Sequence, residues 1–311
     1  MVAEADESDR SFLRLSPVLA VITNIDYEHM ESYRDFADLQ QAFVEFAGRV
    51  PADGTVVLCA DDAHLRLLRA GMARRTVTYG LHSEADVIGA DLRLEGFGSV
   101  CRVGRRRPAP AAGRVELGEL RLAVPGRHNV QNALAAVAVG QELGVRFEIA
   151  AEALAGFRGV ERRFQRRGEV NGITVIDDYA HHPTEIAASI ATSRAIASGR
   201  VIAAFQPHRY TRTKQLLSSF GPSLAGADEV VLTGIYAAGE DPLPGVTLEG
   251  LAESIRASLA APVHLAKALD EVAPAVARIA QPGDLVIVLG AGSIGTIWSR
   301  VLEELERAVR R

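Results

Sequence analysis

The stretch ITVIDDYAHHPTEIAASI, residues 173–190, decides the fold of this chain. Its first residues, Ile173–Ile176, predict a buried strand, and the apolar positions after Pro183 predict a helix with this proline in its first turn. The polar residues Asp177–Glu185 lie between the two. In α/β proteins the chemistry lies at such a point, the carboxyl end of a strand. The loop alone leaves two interpretations open, a functional site or a helix cap with surface histidines.

The residues that follow repeat this strand–loop–helix unit. Strands are predicted over Ile173–Ile176, Val201–Phe205, Glu229–Leu232, Val263–Leu265 and Leu285–Leu289. Helices are predicted over about 184–198, 214–225, 247–260, 267–280 and 294–310. The regular alternation predicts an α/β domain with a doubly wound parallel sheet.

The first half alternates in the same way up to Tyr79 and then changes. Its predicted strands and helices up to that point are Val18–Ile22, Phe36–Val50, Thr55–Cys59, a helix ending at Leu68 and Thr76–Tyr79. From Asp86 to Val124 short strand-like runs are broken by Gly and Pro, which indicates a small antiparallel excursion on a parallel sheet. Two helices follow, and Gly159 marks the predicted boundary between domains 1–159 and 160–311.

Composition excludes several classes of protein. The net charge of −5 gives no general attraction to nucleic acid or to anionic membranes. The basic run Arg105–Arg107 has no interleaved aromatic residues and predicts a solvated loop tip. Two cysteines fit neither a disulfide framework nor a zinc site, and no apolar run of about 18 residues is present. We therefore expect a cytoplasmic protein without a nucleic-acid or membrane partner.

Acidic residues crowd two early segments, Glu4–Asp9 and Asp26–His29. If both lie at strand ends of one parallel sheet, they converge on a divalent cation. Carboxylates with few other protein ligands suit Mg²⁺, which keeps waters and bridges substrate phosphates. Imidazole is a less typical ligand for Mg²⁺, so His29 is also explained as a surface histidine.

Asn129 and Asn132 lie three residues apart, on one face of a predicted helix start. Their amides suit the donor and acceptor edge of a purine, and they equally suit capping of the helix. Both interpretations remain open.

The loop after the next predicted strand carries His208, Arg209 and Arg212. Two arginines three apart face one point if the loop turns helically, and paired guanidiniums bind carboxylates. Cations at a helix start oppose the helix dipole, so an acidic ligand explains them better than a structural role.

The segment Gly290–Gly295 has the outline of a dinucleotide fingerprint, G-x-G-x-x-G after a strand. Only 16 residues follow Gly295, so the βαβ unit that such a site needs has no room to close. We interpret the segment as a tight turn with close helix packing and not as a site for a nicotinamide oxidoreductase.

Taken together, these motifs resemble the Mur ligases of bacterial cell-wall synthesis, and among them the members that join L-alanine to UDP-N-acetylmuramate. The motifs that carry the resemblance are Glu4–Asp9, Thr23–Met30, Gly126–Asn132, Arg162–Phe164, Asp177–Glu185, Gln206–Thr213 and Tyr236–Glu240.

The resemblance implies a fold and an activity. Residues 1–159 correspond to the later part of a central ATP-binding domain, and residues 160–311 to a Rossmann-like domain that receives the amino acid. The implied reaction is ATP-dependent amide formation through an acyl phosphate in peptidoglycan synthesis, with ATP and Mg²⁺ as cofactors. The UDP domain and the phosphate-binding loop of the family have no counterpart here, so the chain is expected to be a fragment inactive alone. The alternative is a non-catalytic remnant that binds nucleotide or amino acid.

The resemblance also implies roles for nucleotide-binding residues. Glu4 and His29 would bind Mg²⁺ at the ATP phosphates. Asn129 and Asn132 would hold the adenine. In the second domain, Arg163 would contact the γ-phosphate and take part in catalysis, while Asp178 would contact the ribose.

The remaining roles concern the amino acid. The residues that would form the L-alanine pocket are Tyr179, His181, His208, Arg209 and Arg212. Of these, Arg209 and Arg212 would bind the carboxylate, which aims the amine at its target. His181 is the candidate to accept the proton of that amine.

Overall fold

The structure is a computed structural model that describes residues 1–82, 84–107 and 111–310. The chain forms two compact units, Met1–Phe157 and Arg158–Arg311. Each unit has its own six-stranded sheet. Within the described residues, no helix is both long enough and apolar enough to cross a membrane.

The sheet of the first unit has the strand order β1-β2-β3-β4-β5-β6. Its strands are β1 (Leu19–Ile22), β2 (Thr55–Cys59), β3 (Thr76–Gly80), β4 (Val87–Glu95), β5 (Gly98–Arg106) and β6 (Arg114–Leu122). Strands β1 to β4 pair in parallel, and β4, β5 and β6 pair antiparallel. The predicted antiparallel excursion is therefore an extension of the same sheet.

The α-helices in the described part of the first unit are α1 (Phe36–Gly48), α2 (Ala63–Leu68), α3 (Arg127–Glu142) and α4 (Phe147–Ala155). Short 3-10 helices lie at Ser11–Arg14 and Arg69–Gly71. Strand β2 is buried along its whole length, because aliphatic residues of the sheet and of α1 and α3 form one core. Cys59 and Cys101 lie in this core as free thiols.

The prediction of a loop tip at Arg105–Arg107 was wrong for its first two residues, which belong to β5. Arg105 Nη2 lies 3.5 Å from Glu142 Oε1, and Arg106 Nη2 donates to the Glu84 carbonyl at 2.7 Å. The Glu142 carboxylate compensates the charge of Arg105, and the Glu84 carbonyl hydrogen-bonds Arg106; both partners are distant in sequence. Residues 108–110 of the predicted loop lie outside the described residues.

The sheet of the second unit has the order β11-β10-β9-β12-β8-β7. Its strands are β7 (Gln165–Val170), β8 (Ile173–Asp178), β9 (Val201–Phe205), β10 (Glu229–Thr233), β11 (Val263–Ala266) and β12 (Leu285–Leu289). Five of them are parallel, as predicted, and their residues are mostly buried on both faces. Strand β7 was not predicted, and it pairs antiparallel with β8 at the edge.

The helices of the second unit are α5 (Pro183–Ile196), α6 (Tyr210–Gln215), α7 (Phe220–Ser223), α8 (Leu248–Arg256), α9 (Val272–Ile279) and α10 (Trp298–Val309). Short 3-10 helices occupy Leu217–Ser219, Leu269–Glu271 and Ser293–Thr296. The single helix predicted over 214–225 was wrong, since α6 and α7 are separate. Pro222 lacks the N–H that a continuous helix needs, and Gly221 weakens it further.

Candidate functional site

Polar and aromatic side chains gather at one edge of the second sheet. The parallel strands β8, β9, β10 and β12 all end at this edge, so the loops after them are neighbours. A backbone bridge joins His208 to Tyr236, where Arg209 N donates to Tyr236 O at 2.8 Å. The second unit therefore brings together the loops that the sequence singled out.

Four rings form a continuous row along these loops. The ring centroids lie 5.5 Å apart for Tyr179 and His181, 5.4 Å for His181 and His208, and 5.5 Å for His208 and Tyr236. Three of these residues are predicted pocket residues. Tyr236 was not predicted as one, although it follows β10 and the strand-end rule applies to it equally.

Guanidinium groups flank this row of rings. The Arg162 and Arg163 groups lie 5.0 Å and 5.4 Å from the Tyr179 centroid. Arg212 Nη1 lies 3.1 Å from His208 Nδ1. Arg209 is exposed, and its backbone has a φ of 67°, a left-handed value that is uncommon for a residue with a side chain. The site is cationic and aromatic, which suits a ligand with a carboxylate.

His208 is neutral at physiological pH. Burial lowers its pKa from 6.5 to about 4, and the neighbouring His181, Arg212 and Arg209 side chains act in the same direction. A neutral ring accepts a hydrogen bond from the Arg212 guanidinium and so orients it. With so low a pKa, His208 is a poor proton acceptor near pH 7.

Glu185 connects the start of α5 with the ring row. It completes a capping box with His182, accepting from the backbone N–H groups of His181 at 3.0 Å and of His182 at 3.2 Å. Its carboxylate lies 3.3 Å from both the His181 ring and Arg163 Nη1. Burial raises the pKa of Glu185, but the His181 ring, these N–H groups and Arg163 outweigh burial and keep the pKa below its usual value. Residues 181–185 thus provide both a helix cap and part of the site.

Asp178 lies at the end of β8 with its side chain turned inward. Its oxygens accept from Ser189 Oγ at 2.5 Å and from Ala180 N at 3.0 Å, and the residue is 5% exposed. Burial raises its pKa to about 6, and the two hydrogen bonds only partly oppose this effect. A carboxylate has further lone pairs, so the predicted ribose contact requires an additional hydrogen bond at one of these oxygens. That contact stays a prediction.

The glycine-rich turn after β12 is required for packing. A Cβ on Gly290 would lie 2.9 Å from Gln206 O, and one on Gly292 would lie 2.5 Å from the Tyr236 ring. A Cβ on Gly295 would overlap the Arg162 guanidinium. These contacts confirm the interpretation of the segment as a tight turn with close packing.

The predicted adenine residues belong to the first unit, at the start of α3. Asn129 Nδ2 donates to the Pro125 carbonyl at 2.7 Å, a local hydrogen bond across the first turn. Asn132 is exposed one turn further along the same face. Asn129 therefore has a local structural role, and an adenine contact by both amides stays a prediction.

The predicted metal ligands also belong to the first unit. Glu4 is exposed. The Nε2 atom of His29 lies 3.8 Å from Glu7 and 3.9 Å from Glu28, and its Nδ1 lies 3.7 Å from Glu31. Across the described ranges, no three His, Cys, Asp or Glu side chains are grouped so that they could hold a metal ion. These carboxylates fit the oxygen chemistry of Mg²⁺, which takes few protein ligands, and the site stays a prediction.

Two domain descriptions of one family match this chain. The Mur ligase middle domain matches residues 1–140, and the Mur ligase glutamate ligase domain matches residues 162–292. The chain belongs to the Mur ligase family.

Within that family, two relatives carry the same name. The UDP-N-acetylmuramate–L-alanine ligase of Solibacter usitatus is 46% identical, over 98% of this chain and 63% of that protein. The ligase of the same name from Geobacter sp. (strain M21) is 43% identical, over 99% of this chain and 66% of that protein. The crystal structure of the UDP-N-acetylmuramate-alanine ligase of Thermotoga maritima has a TM-score of 0.74 at 28% identity, over 98% of this chain and 63% of that one. The chain thus spans just under two thirds of the length of these relatives.

Proposed function

We propose that this chain supplies the ATP-binding and amino-acid-binding parts of a ligase that joins L-alanine to UDP-N-acetylmuramate. The observation that carries the proposal is the cationic, aromatic cluster at the strand ends of the second unit. Its four rings and adjacent guanidiniums are suited to a small ligand with a carboxylate and an amine. The shared name of the relatives points to the same amino acid.

In the proposed reaction, ATP supplies the phosphoryl group that activates the muramate carboxylate as an acyl phosphate. The amine of L-alanine then attacks the carbonyl carbon of this acyl phosphate, and phosphate leaves as the amide forms. The attacking amine must first lose a proton. We assign the proton acceptance to His181, which the Glu185 carboxylate and the Tyr179 carbonyl hold at 3.3 Å and 3.2 Å from Nδ1. His208 is too weak a base for this step.

The cationic groups have separate proposed roles. Arg209 and Arg212 bind the carboxylate of L-alanine, with Arg212 oriented by its contact to His208. Arg163 is 54% exposed and lies beside Glu185, so its guanidinium remains available to the transferring phosphoryl group. Asp178 contacts the ribose of ATP.

In this proposal the first unit contributes residues whose roles are predicted from the family resemblance. Asn129 and Asn132 hold the adenine, and Glu4 and His29 bind Mg²⁺, which spreads the charge of the phosphates. The acidic groups around His29 favour a cation in this region.

Calorimetric titration of the chain with L-alanine tests the pocket directly. Arg209→Ala changes an exposed side chain, and Arg212→Gln removes the partner of His208. Each should weaken L-alanine binding about tenfold or more, because a charge-assisted hydrogen bond to the carboxylate is lost. Arg194→Gln, which changes a surface ion pair with Asp228, is the matched control.

The ligand itself provides a second control. L-alaninamide has the same amine and methyl group but no carboxylate, so its weaker binding should not depend on Arg209. If both arginine variants bind L-alanine as the unchanged chain does, the pocket assignment is wrong.

A turnover assay tests the enzymatic part of the proposal. The chain is mixed with the N-terminal third of the Solibacter usitatus relative, and phosphate release is measured. Release that requires both UDP-N-acetylmuramate and L-alanine supports the ligase. Binding of L-alanine without such release would favour the non-catalytic alternative.

A further inference from the structure

The glycine-rich turn Gly290–Gly295 has no role in the chemistry proposed above, yet it lies against the site. Its last glycine, Gly295, leaves the space that the Arg162 guanidinium occupies. The turn also accepts a hydrogen bond from this group, since Arg162 Nη2 donates to Gly290 O at 2.5 Å. The Arg162 side chain, which lies 128 residues before Gly290 in the sequence, thus packs against the turn.

Arg162 contacts Tyr179 in two ways. Its guanidinium carbon lies 5.0 Å from the centre of the Tyr179 ring, within the range of a cation–π interaction. Its own carbonyl accepts from Tyr179 N at 2.7 Å. Arg162 has a φ of 56°, so the backbone adopts an uncommon conformation at the residue that makes both contacts. The position of Tyr179 therefore depends on Arg162 through backbone and ring together.

A buried carboxylate compensates the charge of this arginine. Asp177 is 0% exposed, and its Oδ2 lies 3.6 Å from Arg162 Nε and 2.8 Å from Arg167 Nη2. Arg167 in turn lies 4.7 Å from the centre of the Trp298 ring. Asp177 Oδ1 has no hydrogen-bond partner among the residues that the structure describes. A carboxylate in this position is costly, and it is balanced by the two guanidiniums that it holds.

We propose that Arg162, Asp177 and Gly295 form a positioning assembly that fixes the Tyr179 ring and so sets the affinity of the chain for its amino acid. In this proposal the three residues act through the Tyr179 ring and not through contacts of their own with the ligand. The assembly rests on the proposed function, because Tyr179 is assigned there to the L-alanine pocket. Ordering a ring before the ligand arrives removes an entropic cost of binding, and losing this order weakens binding by about three- to tenfold.

Gly295→Ala is the sharpest test, because it displaces the Arg162 side chain without changing any charge. The backbone φ at Gly295 is not in the left-handed region, so the added Cβ acts through the Arg162 guanidinium. Gly48→Ala is the control, since a Cβ there meets nothing within 4 Å among the described residues. L-alanine affinity should fall about three- to tenfold for Gly295→Ala and stay unchanged for Gly48→Ala.

Arg162→Lys provides an independent variant. Lysine keeps a positive charge near Asp177 but has no planar group to lie on the ring, so affinity should fall as in Gly295→Ala. Fluorescence of Trp298, the single tryptophan of the chain, reports whether the Asp177–Arg167 part of the unit stays folded. Wild-type affinity in both folded variants would overturn the proposal.

A spectroscopic readout separates this inference from the proposed function. The ring resonances of Tyr179, assigned with a Tyr179→Phe variant, should shift and broaden in Gly295→Ala whether or not L-alanine binds. Shifted resonances with no L-alanine binding by the wild type would support the assembly and reject the pocket. Unchanged resonances in Gly295→Ala would reject the assembly itself.

Discussion

Replacing Asp178 by asparagine tests the electrostatics at the end of β8. Burial raises the pKa of this carboxyl from 3.8 to about 6 in the folded chain, while the unfolded chain keeps the ordinary value. Between these two values the folded state holds a proton that the unfolded state has released. Stability conferred by the raised pKa is therefore full at low pH and is lost as pH rises towards about 6.

The size of the effect follows from the shift. One pKa unit corresponds to about 1.4 kcal/mol. From about pH 4.5 to the folded-state pKa of about 6 is roughly 1.5 units, so the wild type should lose about 2 kcal/mol over this range, with little further change up to about pH 7.5. Asparagine does not titrate. The free energy of unfolding of Asp178→Asn, relative to the wild type, should therefore rise by about 2 kcal/mol between these pH values.

Urea unfolding followed by Trp298 fluorescence measures this difference, because the single tryptophan lies in the second unit. Asp270→Asn, an exposed carboxyl of the same unit, is the control. In Ser189→Ala a hydrogen bond to the charged form is lost, so the pKa of Asp178 should rise and the decline should move to higher pH. If the stability curves of the wild type and Asp178→Asn run parallel from pH 4.5 to 7.5, the burial argument is refuted.

Three further predictions concern other parts of the chain. Asp61→Ala should destabilise the first unit by about 2 kcal/mol in urea unfolding followed by circular dichroism, because its carboxylate accepts from two backbone N–H groups and a glutamine side chain; an unchanged midpoint would contradict this. Gly290→Ala should cost more than Gly239→Ala in thermal unfolding, because both have positive φ but only at Gly290 would the Cβ also meet neighbouring atoms; equal losses would count against the packing role of the turn. The His208 ring should stay neutral down to about pH 4 in an NMR titration, and a midpoint near the ordinary value of 6.5 would show that burial does not control it.

The parallel strands of the second unit could be predicted because strands that are buried on both faces consist mainly of apolar residues. Val201–Phe205 and Leu285–Leu289 are continuous apolar runs, and the structure has both strands at these bounds. Strand β7 reads Gln-Arg-Arg-Gly-Glu-Val and has no apolar alternation, so local pattern does not reveal it. It forms because β8 offers a pairing edge and because Arg167 reaches the buried Asp177.

Some residues of the candidate site could likewise be predicted from the sequence, and one could not. Tyr179, His181 and His208 follow parallel strands, and the shared edge of those strands brings their rings together. Arg162 could not be placed in advance, because its position depends on a left-handed backbone and on the missing side chain of Gly295. Neither feature is visible as a local pattern in the sequence.

Strand β7 has a consequence for how the second unit behaves among other copies of the chain. A strand at the end of a sheet has one side on which the amide groups of another chain could pair, which is a route to aggregation. The side chains of Arg166 and Glu169 in β7 are each 47% exposed and pair with each other at 2.7 Å. A foreign strand would have to desolvate this ion pair before it could add to the sheet. The charges of β7 thus protect this edge of the sheet. Strand β7 also covers the edge of the parallel strand β8, although the hydrophobic pattern does not predict β7.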